Sequence, residues 1–221
     1  MDFLVALSSG FLLGCLHSFD VDHVTAVSAF VANNPGRRSA MKFGLFWGLG
    51  HTTTLLVLGL ATVAFKFAIP AVVQTFAEAA VGIILVALGV WTSAQFFRHR
   101  HIHLHKHTHD GVEHTHFHSH NTERNHRHHH SMFAIGATHG LAGTASVMVI
   151  IPLTIARSLP TAAAFLALFG LGTVLSMSLA AALLGTAARA LDRSNVLSWV
   201  RLAAGLSSIA LGTAWIGMNV L

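Results

Sequence analysis

Two histidines and two aspartates fall inside one long apolar run. The stretch Gly14-Cys15-Leu16-His17-Ser18-Phe19-Asp20-Val21-Asp22-His23 lies within a segment that is otherwise hydrophobic over about 3–31. Comparable runs recur at about 43–66, 71–97, 132–156, 161–188 and 197–219, each long enough to cross a bilayer. The chain is 53% hydrophobic and only 10% charged, with a mean hydropathy of +0.64. A soluble core of this size cannot hide that much apolar surface, so the chain reads as an all-α membrane protein with six transmembrane helices. No run of spanning length alternates with the two-residue period of a strand, which excludes a transmembrane β-barrel.

A charged side chain at bilayer depth costs at least ~2.5–3.5 kcal/mol on insertion scales. Two carboxylates in the first span therefore need compensation, and a cation supplies it. Imidazole nitrogen with carboxylate oxygen is a ligand set for Ni²⁺, Co²⁺ and Zn²⁺. At about 100° per residue, His17, Asp20 and His23 share one helix face, while Asp22 points about 140° away from His17. Either Asp22 has a separate task or the helix is unwound here, as helices are at the midplane sites of many transporters. A polar cluster that merely holds helices together is the plainer alternative.

Two more histidines sit in apolar surroundings. His51 follows Gly48-Leu49-Gly50 in the second span, and His139 lies in Gly136-Ala137-Thr138-His139 of the fourth. Small residues at such positions let helices approach closely. Glu78, near the start of the third span, is expected to complement the helix dipole. The single cysteine, Cys15, permits neither an intrachain disulfide nor a multi-thiolate metal site, and reads as a small packing residue. The N-terminal run has no basic leader and carries the His/Asp cluster itself, so it is read as a span rather than a signal peptide.

Composition changes abruptly between the third and fourth spans. Residues 99–130 hold fourteen of the eighteen histidines, as in His99-Arg100-His101-Ile102-His103-Leu104-His105 and His126-Arg127-His128-His129-His130. Such a low-complexity tract is expected to be disordered without metal and to bind Ni²⁺, Co²⁺, Zn²⁺ or Cu²⁺ weakly at several places. A solubilising linker is the alternative. Three regions follow: a first three-helix unit over 1–97, the His-rich loop over 98–131 and a second three-helix unit over 132–221.

The basic residues set an orientation. With six spans, Arg37, Arg38, Lys42, Arg98, Arg100, Lys106, Arg124, Arg127, Arg189, Arg193 and Arg201 share one side, leaving Lys66 and Arg157 on the other. The positive-inside rule makes the heavy side cytoplasmic, with the His-rich loop. Orientation also explains the high pI, so no nucleic-acid partner is expected.

The two halves repeat. His139 lies 122 residues after His17, Gly170 lies 122 after Gly48, and Gly205 lies 123 after Gly82. Three spans per half force the second half to enter the membrane from the opposite side. The result is a 3+3 inverted repeat, with an ion site expected where the repeats meet. Asp20 and Asp22 align with Ala142 and Thr144, and His51 with Thr173, so most of the charge stays on the first span.

These residues resemble a known family. His17-x4-Asp22-His23, with Asp20 between, is similar to the HX4DH signature of the nickel/cobalt transporter (NiCoT) family, and Gly50-His51-Thr52-Thr53 to its second-span block. The acidic residues of the family's fourth-span block are missing, since this chain reads His139-Gly140-Leu141-Ala142-Gly143-Thr144 there. That departure, with the short length, resembles the UreH-type nickel permease branch associated with urease. The resemblance implies transport of Ni²⁺ or Co²⁺ through the first-span motif, a bacterial inner membrane, and urease or other nickel-enzyme assembly proteins as partners. The expected site is His17, Asp20, Asp22, His23, His51 and His139, holding the ion as transported substrate and not as a cofactor. No nucleotide-binding loop is present and no hydrolytic motif is evident, so a secondary transporter is expected rather than an enzyme. A nickel/cobalt or zinc efflux protein is the alternative, because the cytoplasmic tract suits storage after entry or loading before export.

Overall fold

The computed structural model describes residues 3–66, 69–98, 105–109, 112–116, 128–142, 158–192 and 195–220. Seven helices occupy most of them: α1 (Phe3–His17), α2 (Val21–Asn33), α3 (Arg37–Phe65), α4 (Ala71–Arg98), α5 (His128–His139), α6 (Leu159–Leu191) and α7 (Asn195–Val220). Four are long and apolar enough to cross a membrane, over Arg37–Phe65, Ala71–Phe97, Leu159–Leu191 and Val196–Asn219. At 1.5 Å per residue, the 29 residues of α3 run about 43 Å, beyond the ~30 Å hydrocarbon core. Leu171, Leu175, Leu179 and Leu183 form an exposed apolar row along α6 at a spacing of four. Such a row needs lipid rather than water beside it. The protein is a multi-pass membrane protein.

The first apolar run does not form one helix. Helix α1 tightens at its end, where Phe19 N–H donates to Leu16 O and Asp20 N–H to His17 O, each at 3.0 Å. Asp20 then takes an extended backbone (φ −58°, ψ 148°), and α2 restarts as Val24 N–H donates to Asp20 O. Asp20 holds the N-cap position of α2 without capping it, because its carboxylate turns to His17 instead. The apolar run over 3–31 is thus interrupted at the motif, the unwound alternative that the sequence left open. Helix α2 ends at Asn34-Pro35-Gly36, where Gly36 adopts φ 143°, a conformation that side chains disfavour.

Helix α3 packs along α6 and α4 along α7, while α1 lies on α6 and α5 on α3. The short helix α2 reaches α3, α4, α6 and α7. Glycines set these approaches. A Cβ on Gly14 would strike the carbonyl of Phe169, and one on Gly136 the carbonyl of Trp47. Likewise Gly50 rests on the carbonyl of Phe133 and Gly172 on that of Phe11. Between α4 and α7, Gly82 meets the carbonyl of Gly212 and Gly89 that of Gly205. Lipid tails are as apolar as leucine, so close backbone packing of this kind carries much of the helix association. The buried core around Trp47, Val81, Leu85 and Met177 fills the remaining space.

Other expectations need adjustment. Helix α5 begins at His128, four residues before the expected fourth span, and the remainder of that span, 143–156, lies outside the described residues. Within the His-rich tract, expected to be unstructured, His105–His109 and Val112–His116 pair as an antiparallel hairpin. Its register sets His105 opposite His116 and His107 opposite His114. The rest of the tract up to His128 lies outside the described residues. Glu78 does more than complement a dipole: it is 8% exposed and accepts a hydrogen bond from Trp215 Nε1 at 2.7 Å, joining α4 to α7. Arg201 is likewise no mere orientation charge. It is buried and donates from Nε to Ala32 O at 2.7 Å, where the C-terminal carbonyls of α2 lack helical partners.

Candidate metal centre

All four histidines outside the tract come together. His17, His23, His51 and His139 are each no more than 2% exposed, although they come from α1, α2, α3 and α5. His23 is the hub, with ring centroids 4.8 Å from His17, 5.1 Å from His51 and 4.6 Å from His139. His17 closes α1 and His23 sits in the first turn of α2, so the helix break aims both rings into the same interior. His51 lies one turn after Trp47 on α3, and His139 ends α5.

Asp22 completes the cluster. Its Oδ1 accepts from the backbone N–H of His23 at 2.9 Å and lies 3.0 Å from Nδ1 of the same residue. Its Oδ2 lies 2.6 Å from Nε2 of His139. Asp22 as a whole is only 3% exposed. Of the two alternatives for Asp22, the structure shows the unwound helix: the offset from His17 holds only for an unbroken one. Asp20 takes a different place. Its Oδ2 bonds Nδ1 of His17 at 2.9 Å from the rim, with its side chain 29% exposed. On the far side of that ring, His17 Nε2 and His51 Nε2 are 3.0 Å apart, a spacing that requires one proton, or a cation, between two lone pairs.

The donor atoms gather as two triads that share His23: His17 with His23 and His51, and Asp22 with His23 and His139. Within each, the candidate ligand atoms lie within 4.8 Å of one another. His23 Nε2, His51 Nδ1 and His139 Nδ1 are buried without a hydrogen-bond partner among the described residues. Buried polar atoms are ordinarily satisfied, so three orphaned imidazole nitrogens in one cluster point to a missing ligand. Imidazole and carboxylate at this density suit a divalent transition metal.

The surroundings are apolar and rigid. Trp47 is fully buried, its ring stacked at 5.9 Å on His23 and edge-on at 5.3 Å to His139. Phe169 lies 5.5 Å from His17. Sequence reasoning gave Trp47 no role, though its place one helical turn before His51 is a usable signal. Thr173, the repeat counterpart of His51, is buried and donates to the carbonyls of Gly14 and Phe169, so it serves packing. Cys15 turns its thiol to Gly172 O at 3.7 Å, as a packing residue.

Comparison with known proteins agrees with this architecture. Residues 22–214 match the family described as the cytochrome C biogenesis protein transmembrane region. The urease accessory protein UreH of Bacillus sp. (strain TB-90) is 34% identical over 177 residues, covering 80% of this chain and 75% of the relative. Two Arabidopsis thaliana proteins, chloroplast protein FOR GROWTH AND FERTILITY 1 and 2, are 28% and 27% identical over 95% and 96% of this chain. The alignments span only 58% and 56% of those two relatives. No solved structure matches.

Proposed function

Because the chain belongs to the family of the cytochrome C biogenesis protein transmembrane region and to its UreH-type relatives, we propose that it is a secondary transporter that moves Ni²⁺, with Co²⁺ as a second substrate, through the buried histidine cluster. One observation carries the proposal: every histidine outside the tract is buried in one cluster with a carboxylate, at the break between α1 and α2. Asp22, with Asp20 at the rim, offsets the divalent charge that would otherwise bar the ion from this depth. The ion sheds water onto imidazole nitrogens and displaces the protons that now bridge His17 to His51 and His139 to Asp22.

The six spans are read as a 3+3 inverted repeat whose rocking switches access. Reciprocal contacts support this. Gly14 on Phe169 and Gly136 on Trp47 exchange places under a shift of 122 residues, as do Gly50 on Phe133 and Gly172 on Phe11. Gly82 on Gly212 and Gly89 on Gly205 do the same under a shift of 123. On this reading the membrane is a bacterial inner membrane and the His-rich loop is cytoplasmic, where it holds metal for nickel-enzyme assembly. The name of the Bacillus relative, a urease accessory protein, points to urease as one such enzyme.

This chain has one cysteine, packed on Gly172, and a single thiol cannot cycle through an intrachain disulfide. Efflux uses the same site in the other direction. Accumulation of ⁶³Ni in cells expressing the wild type and His17→Ala tests the proposal. Higher uptake in the wild type at equal expression supports entry through the cluster, lowered metal content with nickel resistance supports efflux, and equal content in both refutes transport by this site.

A further inference from the structure

We infer that the cluster is not one site but two stations sharing a single imidazole, which the cation occupies in turn. The inference rests on the reading that the cluster carries the ion. It starts from the two triads having one common member, His23. The two nitrogens of its ring have different surroundings. Nδ1 lies 3.0 Å from Asp22 Oδ1, on the side of the carboxylate that also holds His139. Nε2 is buried without a partner among the described residues, and is the nitrogen left for the His17–His51 pair. His23 therefore faces one triad with each nitrogen.

A neutral imidazole has one lone pair and one N–H. When Nε2 ligates an ion at the station of His17 and His51, Nδ1 keeps its proton and donates to Asp22, the carboxylate–histidine arrangement that commonly orients a metal ligand. When Nδ1 ligates an ion at the station of Asp22 and His139, Nε2 carries the proton. Filling both stations at once would demand an imidazolate, and the apolar walls formed by Trp47 and Phe169 offer an anion no solvation. The chain thus holds one cation at a time. Passage from the first station breaks the bonds to His17, His51 and His23 Nε2, and forms those to Asp22, His139 and His23 Nδ1. A water carried with the ion takes the ring proton from Nδ1 and returns one to Nε2, so no net proton is gained or lost. The first station is all nitrogen and uncharged, and the second contains the carboxylate, so the two bind the ion by different chemistry.

Equilibrium dialysis with ⁶³Ni²⁺ and flux into proteoliposomes test this on the full chain with the fourteen tract histidines replaced by asparagine. The variants are His51→Gln, His139→Gln and the two together, each keeping a polar side chain in the cavity. Two stations predict one Ni²⁺ per chain, single variants binding within about tenfold of the parent, and a double variant weaker by more than about 100-fold. Both single variants lose flux, because each strands the ion. Single variants as weak as the double one would show one undivided site, and two Ni²⁺ per chain would refute alternation. A single variant with parental flux would overturn the relay. A parent that neither binds nor moves Ni²⁺ would instead remove the underlying transport reading, a result distinct from all of these.

Discussion

His139 Nε2 lies 2.6 Å from Asp22 Oδ2, joining residues 117 positions apart. Both groups are buried, so the bond is neither screened nor shared with water. It ties the end of α5 to the start of α2, and thus the second half of the chain to the helix break in the first. Asp22→Asn keeps the shape and removes the charge. Loss of a charge-assisted hydrogen bond of ~1.5–3 kcal/mol is one to two decades of an equilibrium constant. Flux of ⁶³Ni²⁺ into proteoliposomes is therefore expected to fall at least about tenfold, with nickel affinity within about tenfold of the parent because the His17–His51 station is untouched, while the protein still inserts and purifies, as size-exclusion profiles would show.

The glycine contacts predict a graded pattern of stability. Gly14→Ala and Gly136→Ala each drive a Cβ into a backbone carbonyl on the facing helix, so the helices must part. Overpacking of this kind costs about 1–3 kcal/mol. Gly217→Ala is the control, since an added Cβ there meets nothing within 4 Å. Thermal unfolding in detergent should fall for the first two and hold or rise for the third.

Arg201 and Glu78 predict two stability losses away from the cluster. Arg201→Gln removes the Nε donor to Ala32 O, and Glu78→Leu strands Trp215 Nε1. Each is expected to lower stability by about 1–3 kcal/mol, because a buried partner is left unpaired. Glu78→Gln keeps an acceptor and should fall by less. In the chain with asparagine at the tract histidines, all three should still bind one Ni²⁺, which separates structural support from cargo binding.

Trp47 reports on the cluster. Its ring is 5.3 Å from His139 and 5.9 Å from His23, close enough for bound Ni²⁺ to quench its emission. In the chain with asparagine at the tract histidines, Ni²⁺ should lower fluorescence and a chelator should restore it. Trp47→Phe should abolish the metal-dependent part and leave the emission of the other tryptophans.

Much of this site was legible before any coordinates. Imidazoles and carboxylates in apolar runs announce themselves by their desolvation cost, and His17, His23, His51 and His139 were all found that way. The facing of Asp22 was legible only as a choice, because a helical wheel turns it away from His17 and an unwound helix does not. No glycine or proline marks the break at 18–20; it forms where the Asp20 carboxylate turns to His17 instead of capping α2. Similarly, Glu78 and Arg201 looked like end-of-helix charges by position. Their partners, Trp215 and Ala32, lie 137 and 169 residues away, a distance no local pattern records. That small residues would let helices approach closely was legible, but the carbonyl each glycine meets was not, since Phe169 and Gly212 lie far along the chain from Gly14 and Gly82.

Flux of ⁶³Ni²⁺ into proteoliposomes most directly separates the buried cluster from the His-rich tract as the path of the ion. Three chains are compared: the wild type, His23→Gln with the tract intact, and the chain with asparagine at all fourteen tract histidines. The account predicts flux in the first and third and none in the second. Undiminished flux with His23→Gln, or flux that disappears with the tract alone, would contradict it.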